Sequence, residues 1–419
     1  MTAPGTPAAP RTPGSRLLDA GLALMLAAIP VSVSGAQLGL GLAIFGGGLV
    51  AFRRRRLPRT PLDAPVLALL AVTILSAAVS SDPAASLRKV GSAWQVLAMY
   101  LLVLRFRSPG ELAPFLRFAI PTAVLGGLFG IVQHYTGWLA PGGANGSLHS
   151  LGHDGRILWF PEGGFSHYQT FANVYFMLAC LMAGMAVAAT SRRERLLTAA
   201  AAAIAAGAVL FSFTRGVWVA LGVALLLFVQ AFARRALPAL AAGLALAILA
   251  ALIVPSGVRT RLLSMADAGT NVERLLLWET SWSMLRDHPV LGVGVGRYAV
   301  AQDEYVREEV PMLMTRTHAH NIWLQAAVER GVLGLAAFAW LVAAAIRQAF
   351  GTARRVRDGG GAAAGLAVGA ATALAGFLVD GLVQNNFGDA QVSLLFWLVV
   401  GTAVICSGTA DSPLPEAVA

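Results

Sequence analysis

The sequence predicts an all-α integral membrane protein of about twelve transmembrane helices, with one large outer loop carrying short helices. Three observations predict it. Of 419 residues, 57% are hydrophobic and only 12% are Asp, Glu, Lys or Arg, about half the charge of a soluble domain. The mean hydropathy is +0.69, and a water-soluble fold of this size cannot hide so much apolar surface. Apolar runs of spanning length recur along the chain, and basic residues fall on alternate connections. Cys180 and Cys406 lie far apart inside apolar runs, which excludes a disulfide scaffold and a cysteine metal site.

The runs, in order, are 16–34, 37–52, 64–80, 88–104, 112–133, 166–189, 196–213, 215–233, 237–254, 320–346, 361–383 and 391–407. The first two are short and close together. Small residues at Ser34-Gly35-Ala36 offer a signal-peptide alternative for the first run, but another apolar run follows at once, as in a multispan chain. With both termini cytoplasmic, the inward connections hold Arg53 to Arg56 and Arg59, Arg105 and Arg107, and Arg192, Arg193 and Arg195. They also hold Arg234 and Arg235, then Arg347, Arg354, Arg355 and Arg357. The inside then carries 19 basic and 7 acidic residues, the outside 12 and 14, which is the positive-inside asymmetry. The net charge of +10 is a topology signal and implies no nucleic-acid partner. Three regions follow: residues 1–254 with helices one to nine, 255–319 as a large outer loop, and 320–419 with the last three helices. No internal repeat is visible.

Two outward segments, 134–165 and 255–317, are too long to be turns. In the second, Asn271 can cap a helix beginning at Val272, and Leu275, Trp278, Trp282 and Leu285 recur at helical spacing. They predict an amphipathic helix over 272–287, lying on the membrane surface or packed over the bundle. The run Gly292-x-Gly294-x-Gly296 reads as a flexible turn, because it lacks the preceding strand and the glycine spacing of a dinucleotide loop. Glu308-Glu309 reads as a solvated face.

The ionisable residues of the spans gather at the outward ends: Arg88, Lys89 (the single lysine), Arg215, His320, Glu329, Asp380 and Asp389. A secondary transporter of polysaccharide or lipid precursor is the alternative from another class. It would place such groups near the midplane and show repeat symmetry. Groups collected at one face under a large loop suit an interfacial enzyme better. Thr317-His318-Ala319-His320-Asn321 sets two imidazoles at the mouth of an apolar helix, where the helix dipole favours the neutral, proton-accepting form. That suits a general base; the plainer alternative is a pair of interfacial histidines facing water. His318-x-His320 lacks a third ligand at zinc spacing. Asp380 with Gln384, Asn385, Asn386 and Asp389 offers hydrogen bonds to sugar hydroxyls.

His320-Asn321, nine residues, then Gly331-x-x-Gly334 resembles the motif of the bacterial O-antigen ligase superfamily, which includes ligases, polymerases and related O-oligosaccharyltransferases. Arg274-Leu-Leu-Leu-Trp278 with His288-Pro289-Val-Leu-Gly292-Val-Gly294 resembles the block in their large periplasmic loop, and Ser212-Phe-Thr-Arg215-Gly216 their Ser-x-[Ser/Thr]-Arg-Gly segment. The stretch from Gly164-Phe165 to Phe171-Ala172-Asn173 is a weaker match. The resemblance covers roughly 160–390 and is most like O-antigen ligase. It implies a GT-C-like glycosyltransferase of the bacterial inner membrane, working on the periplasmic face without metal or cofactor. It implies a glycan donor on undecaprenyl diphosphate and a lipid A-core or other glycan acceptor, with inversion at the anomeric carbon. A polymerase of the same superfamily, extending an undecaprenyl-linked unit, is the nearest alternative. The leaving diphosphate needs charge stabilisation. The chain has no Asp-x-Asp to hold a cation, and guanidinium binds phosphate oxygens through paired hydrogen bonds. Arg215 and Arg274 are therefore the candidate diphosphate ligands and His320 the candidate base. Arg88, Lys89, His318 and Asp389 are secondary candidates.

Overall fold

In the computed structural model, residues 12–55, 57–138, 150–153, 156–253, 257–265, 268–306, 317–357 and 361–408 are described. The first part of the chain comprises α1 (Pro13–Ala28), α2 (Val33–Arg54), α3 (Asp63–Ala78), α4 (Pro83–Val90), α5 (Leu97–Arg105), α6 (Pro109–Leu116) and α7 (Ile120–Thr136). A hairpin of β1 (Ser150–His153) and β2 (Arg156–Trp159) precedes α8 (Tyr168–Ala188), α9 (Arg192–Phe211), α10 (Arg215–Phe232) and α11 (Leu237–Ile253). The large loop holds α12 (Gly257–Leu263), α13 (Ala268–Asp287) and α14 (Tyr298–Gln302). The last three helices are α15 (Ile322–Val356), α16 (Gly361–Gly381) and α17 (Ala390–Ser407).

All twelve predicted runs are helical, and the protein is a helical integral membrane protein. Among the described residues, ten helices or joined helix pairs are long and apolar enough to cross a membrane; α1 and α3, at 16 residues each, are the other two. Helical spans are what a bilayer demands, because no water there satisfies backbone groups. Helix starts are written locally: Ser32, Ser108, Ser191 and Asp389 accept backbone N–H groups of α2, α6, α9 and α17. The Ser34–Ala36 stretch lies in the first turns of α2, whose Ala36 is fully buried. At the centre, α8, α16 and α17 are buried along nearly their whole length, in one core that runs from Leu18 to Cys406. At the edge, α11 has no buried residue, as expected of a wholly apolar helix facing lipid.

The structure departs from the sequence reading in four places. The outer segment before α8 contains an antiparallel hairpin, in register Ser150↔Trp159 to His153↔Arg156. The loop helix begins at Ala268, so Asn271 lies inside it and is not its cap. Its buried face is Leu277, Ser281, Met284 and Leu285, while Leu275 and Trp282 are exposed. The cause is a polar pair: Ser281 Oγ donates to Leu277 O and lies 2.8 Å from Tyr298 Oη. That pair turns the helix onto the small core of Met284, Val293, Tyr298, Ala319 and Val328. Lastly, α15 is broken at Gly331 (φ +66°, ψ −169°), a conformation open in practice only to glycine. The Glu308-Glu309 pair lies outside the described residues.

The break at Gly331 accounts for the glycine-rich run. It leaves the carbonyls of Val328 and Glu329 without their helical donors, and Val293 N–H (2.9 Å) and Gly294 N–H (3.1 Å) take those places. In return Val332 N–H donates to Pro289 O at 2.8 Å. Gly292–Gly296 is thus a clasp pinned across α15 by backbone hydrogen bonds, contrary to the flexible turn expected. A side chain at Gly331 would put its Cβ 2.1 Å from Val290 O.

Candidate active site

One cavity of about 1050 Å³ opens at the end of the bundle that bears the motifs. Its polar part is built from the ends of α4, α8, α15 and the turn between α16 and α17. Its apolar part runs down beside α3, past Leu69, Trp94, Phe338 and Trp397. Among the sequence candidates, His320, His318, Lys89, Asp389 and Glu329 line it; Arg215, Arg274 and Arg88 do not.

His320 precedes α15 with φ +49°, a left-handed conformation that is uncommon for a residue with a Cβ. Asn321 fixes the corner. Its Oδ1 accepts from Trp323 and Leu324 N–H, and its Nδ2 donates 2.9 Å to Leu382 O at the end of α16. His320 Nδ1 lies 2.9 Å from Gln384 Oε1. The His318 ring centre is 4.3 Å from that of His320, and His318 Nδ1 lies 3.0 Å from Thr317 Oγ1.

The acidic residues around the cavity are held mainly by neutral donors. Asp389 Oδ1 caps α17 through Gln391 and Val392 N–H, and Oδ2 accepts from the Thr170 hydroxyl. Glu329 Oε1 accepts from Gly296 N–H at 2.9 Å, and Oε2 meets Arg330 at 3.2 Å. Behind the wall lies Asp380, fully buried. Its Oδ2 accepts from Asn173 (2.9 Å) and Asn386 (3.3 Å), both of which line the cavity. Its Oδ1 has no hydrogen-bond partner among the described residues. That oxygen stands 2.3 Å from where a Cβ on Gly216 would sit, which explains why glycine follows Arg215.

The arginines gather on the far side of this Asn173–Asp380–Asn386 layer. Arg215 Nη1 donates to Ser264 O (2.5 Å) and Ser264 Oγ (3.2 Å). Arg261 Nε donates 2.8 Å to Phe213 O, and its guanidinium lies 4.9 Å over the Phe160 ring. Burial, and the nearby charge of Arg274, lower the Arg261 pKa against a hydrogen bond that Arg261 donates to Tyr168. The Arg274 charge also reaches Asp380. Arg215 and Arg261 therefore share one neighbourhood around the strained Phe213 (φ +54°), with Arg274 close enough for its charge to act on Arg261. Clustered, partly buried cations favour a bound anion.

Sequence reasoning missed Arg261, which sits in no recognisable spacing, and the bond from His320 Nδ1 to Gln384 Oε1. Arg88 is exposed and faces away from the cavity, while its neighbour Lys89 lines it beside Gly296.

Fold and site together define a multi-pass membrane protein with a polar cavity and an adjoining cation cluster at one end of its bundle. Residues 200–339 match the family model described as O-antigen ligase. The match contains Arg215, Arg261, Arg274, His320, Gly331 and Gly334, and supports membership of the O-antigen ligase superfamily and a ligase- or polymerase-type glycosyltransferase activity. No curated protein matches the chain.

Proposed function

We propose that the protein transfers a glycan from undecaprenyl diphosphate to a sugar hydroxyl of lipid A-core, at the periplasmic face of the bacterial inner membrane. His320 is the general base, and Arg215 and Arg274, joined by Arg261, hold the diphosphate. The acceptor hydroxyl gives its proton to His320 as its oxygen bonds to the anomeric carbon. The bond from that carbon to the diphosphate oxygen breaks on the opposite face, so the configuration inverts. The negative charge that develops on the leaving diphosphate is met by the guanidinium groups. The acceptor glycan occupies the cavity, and amides such as Asn385 bind its hydroxyls. The diphosphate of the donor lies on the α10–α12 side, and its transferred sugar reaches into the cavity beside Asn173 and Asn386.

The observation that carries this reading is the corner at His320. A strained backbone, a capping Asn321 and an oriented imidazole all stand on the wall of a cavity large enough for sugars. Strain of this kind costs about 1–3 kcal/mol and concentrates at functional sites.

The test uses purified protein in liposomes, with a diphosphate-linked glycan donor and two acceptors, lipid A-core and an undecaprenyl-linked unit. Transfer to lipid A-core should persist in excess EDTA. Transfer only to the undecaprenyl-linked unit would replace the ligase reading with a polymerase. Loss in EDTA, restored by magnesium or manganese, would overturn the arginine clamp.

A further inference from the structure

We infer that Gln384 is a positioning residue that selects the tautomer of His320. This inference rests on the reading of His320 as the base. Gln384 is buried in the turn between α16 and α17, and that turn is fastened where it leaves α16. Val383 N–H donates to Asp380 O at 2.9 Å, and Leu382 O accepts from Asn321, the residue next to His320. The amide and the imidazole are thus held by one rigid corner although they lie far apart in the chain.

An amide oxygen can only accept. With Gln384 Oε1 at 2.9 Å from Nδ1, the neutral ring carries its proton on Nδ1, and Nε2 keeps the lone pair a base needs. The tautomer is chosen by a neutral group. A carboxylate in the same place would choose the same tautomer but would also stabilise the imidazolium and hold the ring protonated to higher pH. The amide therefore orients the base without setting a charge beside it.

Other charged and titratable groups face the same space. His318 lies on the same segment, Lys89 on α4, His167 at the start of α8, Glu329 and Arg330 on α15, and Asp389 before α17. The Asp389 and Glu329 carboxylates already accept from Thr170 and from backbone N–H groups, whereas Gln384 contacts the ring directly.

The experiment is the pH dependence of kcat/KM for wild type, Gln384→Glu and Gln384→Met in liposomes, with undecaprenyl diphosphate binding measured in parallel. In Gln384→Glu the acid limb should move to higher pH by about one unit or more, with the plateau rate kept within a few-fold. Gln384→Met should lower the plateau by about tenfold or more, with binding of undecaprenyl diphosphate unchanged. An acid limb in Gln384→Glu that overlays wild type would overturn the role of Gln384. If His320→Ala kept the wild-type rate, the base assignment itself would fall, and this inference with it. Should Gln384→Met fail to fold, Gln384→Glu alone decides, because it retains an acceptor of the same length.

Discussion

The two ends of the bundle handle charge differently. At the arginine-rich end, ionic groups meet directly: Arg105 pairs with Asp19, and Arg117 pairs with Glu194. At the cavity end Glu329 pairs with Arg330 and Arg297 with Asp82, but Asp380 and Asp389 are met by amides, a hydroxyl and backbone N–H groups. There Arg261 is held by a carbonyl and an aromatic ring. Direct ion pairs cancel charge and fasten helices. Neutral partners fix a charged side chain in place and leave its field available to a ligand. The first end is built to hold the bundle, and the second is arranged around something that is to bind.

That contrast can be broken most severely at Gly216. Gly216→Ala would drive a methyl group onto Asp380 Oδ1, and overpacking of this kind costs about 1–3 kcal/mol. We expect a clear fall in thermal stability in detergent and loss of most transfer. Gly222→Ala, six residues on in the same helix, meets nothing within 4 Å and should leave both unchanged. Equal behaviour of the two would remove Asp380 from the account of the motif glycine.

A smaller effect is expected in the cation cluster. Lysine keeps the charge and loses the paired donor geometry. Arg261→Lys and Arg215→Lys should each weaken undecaprenyl diphosphate binding by about tenfold, the scale of one charge-assisted hydrogen bond. If Arg261→Lys bound as wild type does, the cluster would reduce to the two arginines visible by motif.

The smallest effect belongs to the other end. The Arg117–Glu194 pair is partly exposed, and such pairs contribute about 0–1 kcal/mol. Arg117→Gln should shift the melting temperature slightly and leave transfer intact. A large loss of transfer would mean that the two ends are coupled, and the contrast would fail.

Much of the fold was legible because the bilayer restricts the choices. About twenty apolar residues are needed to span it as a helix, and all twelve runs are helical. His320 and Arg215 were legible because their neighbours Asn321 and Gly216 serve local geometry, a cap and a close approach, and so leave a short motif. The break at Gly331 was hidden because an apolar stretch with isolated glycines reads as continuous helix. The buried face of α13 was hidden because Leu275, Trp278, Trp282 and Leu285 show the same spacing as the true face. The contact of Ser281 with Tyr298 decides between them. Gln384 and Arg261 were hidden because their partners lie far along the chain, and no local period encodes such contacts.

The central claim is that chemistry and donor binding are divided between His320 in the cavity and the arginines behind the Asn173–Asp380–Asn386 layer. The most direct measurement titrates undecaprenyl diphosphate into wild type, His320→Ala and Arg215→Ala, and follows single-turnover transfer in the same preparations. His320→Ala should bind as wild type does while transfer falls by about 10²- to 10⁴-fold, and Arg215→Ala should lose binding and transfer together. If His320→Ala lost binding as severely as Arg215→Ala, the imidazole would be a phosphate ligand or a structural group, and the division of roles would be wrong.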